Sequence, residues 1–166
     1  GFGPAGIFAA LSLARCGFKP IVIERGEDVD KRSLSVDKFW EENILNTESN
    51  VSFGEGGAGT FSDGKLNTMV KDKSGRNNEV LKTLVEFNAP KDILTDPKPH
   101  IGTDLLKGII KNIREEIIKL GGEVRFSSKL EDINYKEGYL HSIKLNNGEI
   151  LDCEVLVLAI GHSARD

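Results

Sequence analysis

GFGPAG, Gly1 to Gly6, is the stretch on which the reading of the fold turns. It matches G-x-G-x-x-G at Gly1, Gly3 and Gly6. In a dinucleotide-binding turn the first glycine makes a tight bend, the second lets backbone approach a pyrophosphate, and the third lets a helix pack closely on a strand. The residues that follow support a helix over Pro4 to Cys16. Ile7, Ala10, Leu11 and Ala14 recur at helical spacing, and Gly17 is a stop. Proline suits the first helical turn, where its missing N–H has no partner to lose. Pro4 and Ala5 would therefore sit where a helix offers free N–H groups and its positive dipole end to an anion.

Working outward, Pro20 to Glu24 reads as a short buried strand, and it ends on an acid about 20 residues beyond the glycines. A carboxylate there accepts ribose hydroxyls and disfavours a 2′-phosphate, so Glu24, with Arg25 beside it, implies FAD or NAD rather than NADP. The fingerprint also requires a strand leading into the turn, and none precedes Gly1. The expectation is that the first strand is missing and that the chain is a piece of a larger protein, incomplete at both ends.

Beyond Glu24, Asp28 to Leu45 suggests a surface helix. Val51 to Asn67 holds glycines at 54, 56, 57, 59 and 64, too many for a helix interior, and reads as an irregular loop. Asn77 to Asn88 predicts a short helix. Asp104 to Leu120 predicts a longer one, with Leu105, Ile109, Ile113, Ile117 and Leu120 as its apolar stripe and Thr103 as its N-cap. Strands are expected at Glu123–Ser127, Lys129–Tyr135, Tyr139–Leu145 and Glu149–Leu151, and a last apolar strand at Glu154–Ile160. This order predicts one α/β domain over residues 1–166: a doubly wound, Rossmann-like FAD/NAD(P)-binding fold. It would have a central parallel sheet, an inserted β-meander and a long Gly-rich insertion over 28–100.

Composition narrows the partners. A net charge of −4 over 166 residues lacks the basic excess that nucleic acid requires. The two cysteines, Cys16 and Cys153, form no disulfide framework or zinc motif, and the histidines show no metal-ligand spacing. The apolar runs are too short to span a bilayer. A cytoplasmic protein with no nucleic-acid, membrane or metal partner is expected; its oligomeric state is open.

Taken together, GFGPAG, IERG at Ile23 to Gly26, SNVSFGEGGAGTFSDGKLNT at Ser49 to Thr68, KPHIGTD at Lys98 to Asp104, and the closing AIGHSARD carry a resemblance. The chain resembles the N-terminal portion of the uncharacterised FAD-dependent dehydrogenases, within the glutathione-reductase-like flavoproteins. The resemblance implies a second loop near the pyrophosphate and flavin, placed at Gly54 to Lys65. There Gly56, Gly57 and Gly59 would allow close backbone approach, Thr60, Ser62 and Asp63 would hydrogen-bond, and Lys65 would offset charge on a reduced flavin. It also implies Leu130 against adenine, and Ala159 and Gly161 as close backbone neighbours of the cofactor. Ile160 stands where such flavoproteins have threonine.

The function expected from this reading is hydride transfer through FAD, to or from an unidentified small molecule, with NAD(P)H as a further partner. Catalytic residues are not identifiable; His100 and His162 are candidates for a hydrogen bond or proton near the flavin, though a structural role is favoured for both. Two other readings stand beside it: an NAD-dependent dehydrogenase, and a non-catalytic dinucleotide-binding scaffold.

Overall fold

The computed structural model describes residues 1–66 and 71–164. Asn67 and Thr68 of the glycine-rich block, and Arg165 and Asp166 of the closing segment, lie outside the described residues. Helix α1 spans Pro4–Arg15, with Gly3 as an extended N-cap that contributes no side-chain bond and no acid in the first turn. Its first N–H groups thus keep their donor capacity. Strand β1, Ile21–Ile23, leads to α2, Val29–Glu42. Asp28 caps α2 by accepting from the Asp30 and Lys31 N–H groups, and Asn43 closes it in the left-handed conformation. The glycine-rich segment contains one short 3-10 turn, Ala58–Phe61.

Helix α3 follows at Arg76–Glu86, a second 3-10 turn at Lys91–Leu94, and α4 at Thr103–Lys119. Gly102, not Thr103, is the N-cap of α4. Strands β2 (Glu123–Arg125), β3 (Leu130–Lys136), β4 (Tyr139–Leu145) and β5 (Ile150–Asp152) complete the order.

The core forms where α1 crosses α4 over β1. Ile7 and Leu11 meet Ile109, Ile110, Ile113 and Ile117, with Val22 from β1 beneath and Leu84, Phe87 and Ile93 closing one side. Each such side chain contributes roughly 1.5–3 kcal/mol by leaving water. The expected stripe of α4 is shifted: Leu105 and Leu120 lie exposed at the helix ends, and Ile110 is buried in their stead.

The expected Rossmann-like, doubly wound sheet is not what forms. β1 pairs in parallel with β2 alone, Val22 opposite Val124, and β3, β4 and β5 make a separate three-stranded antiparallel sheet. No central parallel sheet exists among the described residues. Glu154 to Ile160 is not a strand either; Val155, Val157, Leu158 and Ile160 are each more than half exposed. The physical reason is that a strand requires ladder bonds to a neighbour, and an apolar run does not by itself supply one.

Candidate functional site

A cleft of about 710 Å³ opens in front of α1. Its walls bring together residues far apart in the chain: Gly1, Gly3, Pro4 and Ala5 from the first turn, Glu24 and Arg25 after β1, Gly57 and Gly59 from the glycine loop, Leu130 at the start of β3, and Ala159 and Gly161. The volume lies within the roughly 300–1,000 Å³ of small-molecule and cofactor sites. The floor is made by two glycine turns in contact. Gly57 has φ of +67°, and a Cβ there would lie 3.0 Å from the Gly3 Cα and 3.2 Å from the Pro4 Cδ. Any side chain at Gly57 would therefore both strain the backbone and part the turns. A side chain at Gly1 would run into the Ala159 carbonyl, so the closing segment also abuts the first turn.

Glu24 is almost fully buried, yet it lines the cleft. Its Oε2 accepts from the Phe2 N–H at 2.7 Å, and its Oε1 accepts from the Gly26 and Gly54 N–H groups at 2.9 and 3.0 Å. One carboxylate thus ties the first glycine turn, the end of β1 and the second glycine loop together. A carboxylate has about four acceptor positions, so one remains for a ligand hydroxyl. Next to it, the Arg25 guanidinium lies over the Phe53 ring at 4.2 Å and donates to Glu48 Oε2 through Nε and a terminal nitrogen, at 3.0 and 2.8 Å.

Behind the glycine loop sits Arg32, fully buried. Nε donates to the Asn50 carbonyl, one terminal nitrogen to the Glu55 and Gly57 carbonyls, and the other to Val51. Burial lowers its pKa to about 10, against the opposing pull of Glu24 and Glu55, so it stays charged at neutral pH. Gly54, with φ of +118°, lies so close to the Arg32 stem that a Cβ would overlap it. Glu55 is also buried; its Oε2 accepts from the Val29 N–H and pairs with Arg114 at 2.9 Å. Burial nevertheless pushes the Glu55 carboxyl above its usual range.

Most of the other sequence candidates are placed elsewhere. Gly6 is buried where α1 packs beside Gly1 and Ala159. Gly56 and Thr60 face each other in the interior, and the Gly56 N–H donates to the Phe2 carbonyl. Ser62 donates to the Gly59 carbonyl. Asp63 and Lys65 form an exposed ion pair at 2.8 Å, which holds the Asp63 carboxyl below its usual range. Ser62 and Lys65 border a second, largely apolar pocket of about 160 Å³ rather than the main cleft. His100 Nε2 bonds to the Asp63 carbonyl at 2.7 Å, whereas His162 lines the cleft.

Sequence reasoning missed Ser52, Phe53, Ala58, Ser128 and Lys129, which also line the cleft. Phe53 and Ala58 flank glycines already singled out, and that adjacency was the available signal. Arg32 offered none beyond being one charged residue on a charged helix. No helix of the described residues is long and apolar enough to cross a membrane, and no group of His, Cys, Asp or Glu among them could hold a metal ion.

No family model matches the chain. A relative from Clostridium beijerinckii, named only as an uncharacterized protein, is 65% identical over 166 residues; the match spans 100% of this chain and 31% of the relative. Among solved structures, the Diels-Alderase PyrE3 of pyrroindomycin biosynthesis is similar at a TM-score of 0.46 and 15% identity, over 92% of this chain and 29% of that one. The resemblance to the FAD-dependent dehydrogenases of the glutathione-reductase-like type is therefore corrected. The 65% identical relative carries no such name, and the described strands do not build the sheet that the resemblance implied.

Proposed function

We propose that the cleft binds FAD and that the longer protein uses it as a flavin-dependent oxidoreductase acting on a small molecule in the cytoplasm, with NAD(P)H as a further partner. The observation that carries this reading is the contact between the Gly3 and Gly57 backbones in front of the uncapped start of α1. Backbone so close and so bare admits a diphosphate, and the helix N–H groups favour its charge.

The chain's own residues divide the work. Gly1, Gly3, Pro4 and Ala5 hold the diphosphate, and the remaining acceptor position of Glu24 takes a ribose hydroxyl. Leu130 offers apolar surface to the adenine, and Ala159 and Gly161 line the cleft with backbone. The second glycine loop favours FAD over NAD, because an NAD site built on the first turn and Glu24 has no use for it. When bound, the flavin supplies the centre that accepts or donates the hydride.

The test is to purify the longer protein and release its ligand. Equimolar FAD with the flavin absorption band supports the proposal; a colourless protein that retains NAD overturns it. A protein that binds FAD but is reduced by no donor and passes electrons to no acceptor would leave only the scaffold role.

A further inference from the structure

We propose that Arg32 is the positioning residue that makes the glycine loop receptive to the diphosphate of the cofactor, an inference that rests on the dinucleotide reading above. Its guanidinium holds four backbone carbonyls of one segment, those of Asn50, Val51, Glu55 and Gly57. The Gly57 bond matters most. A trans peptide is planar, with its C=O and N–H pointing in opposite directions. With the Gly57 carbonyl drawn back onto Arg32 at 2.9 Å, the Ala58 N–H of the same peptide is turned away from Arg32, and Ala58 lines the cleft. If that peptide rotated, a carbonyl would face the ligand and repel an anion.

Charge acts in the same direction. Arg32 is fully buried, and among the described residues it donates only to carbonyls and is ion-paired with no carboxylate. Glu24 and Glu55, the acids that bear on it, are bound to other donors: backbone N–H groups for Glu24, the Val29 N–H and Arg114 for Glu55. The positive charge stands one peptide behind Gly57, which touches Gly3 at the mouth of α1. Because the guanidinium is itself buried, its charge acts on a nearby anion more strongly than one at the surface would. Phe61, whose ring lies 4.7 Å from the guanidinium carbon, holds it in place.

The experiment compares ADP with adenosine on the full-length apoprotein, by calorimetric titration, for wild type, Arg32→Gln and Arg32→Lys, with thermal melts to establish folding. Wild type should prefer ADP. Arg32→Gln should narrow that preference by about tenfold or more, and Arg32→Lys, which restores the charge without the fork, should recover most of the preference while binding both ligands more weakly. Equal losses for ADP and adenosine in folded Arg32→Gln would show a purely structural role and overturn the proposal, as would an unchanged preference. If Arg32→Gln does not fold, Arg32→Lys decides: an ADP preference narrowed from wild type supports the proposal, and an unchanged preference or equal losses for both ligands overturns it. Wild type that binds neither ADP nor FAD would sink the dinucleotide reading itself, and this inference with it.

Discussion

Gly57 and Gly59 lie two positions apart on the same cleft, yet they answer to different constraints. Gly57 has positive φ, and a Cβ there would come within 3.0 Å of the Gly3 Cα and 3.2 Å of the Pro4 Cδ, whereas nothing lies within 4 Å of a Cβ at Gly59. Gly57→Ala should cost about 1–3 kcal/mol from a positive-φ backbone that only glycine adopts readily, and more from the collision. Gly59→Ala should stay within about 0.5 kcal/mol of wild type but weaken ligand binding, since Gly59 lines the cleft. Thermal melting beside FAD titration checks both; equal melting temperatures for the two variants would contradict the account of the floor. Glu24 shows the same separation of roles, because its position after β1 was legible whereas its use as a clasp for three peptide N–H groups was not.

Among the elements, α2 starts on a titratable cap. Asp28 accepts from the Asp30 and Lys31 N–H groups. Partial burial pushes its carboxyl upward, but the bonds and charge from Lys31 and the Asp30 N–H outweigh this, leaving it below its ordinary 3.8. A folded-state pKa below the unfolded one stabilises the fold above the unfolded value and loses that contribution as pH falls through the folded value. Asp28→Ala should therefore cost about 0.5–2 kcal/mol near neutral pH. The gap from wild type should close as pH drops below 3.8, measured by denaturant melts across the acid range. A gap independent of pH would show that the cap works through something other than its charge. The sequence placed this helix well because local periodicity and an Asp at its start are local facts. It failed at Glu154–Ile160, where strand formation depends on a neighbour.

For the molecule as a whole, the packing of α1 against α4 holds both the core and the cleft in place. Ile113 is fully buried at that crossing, and Ile113→Ala should cost about 2–5 kcal/mol. Because α4 also supplies Arg114 to Glu55, beneath the glycine loop, the variant should lose ligand affinity along with its melting temperature. Lost stability with unchanged affinity in the folded fraction would separate core from site. The helices, the first glycine turn and the meander were determined by the sequence alone, because apolar spacing and turn residues act over a few positions. The two separate sheets, the shifted face of α4 and the buried Arg32 that gathers four carbonyls were decided only by the tertiary structure. Each depends on which distant segment supplies a hydrogen-bond partner or covers an apolar face, and periodicity along one chain does not encode that choice.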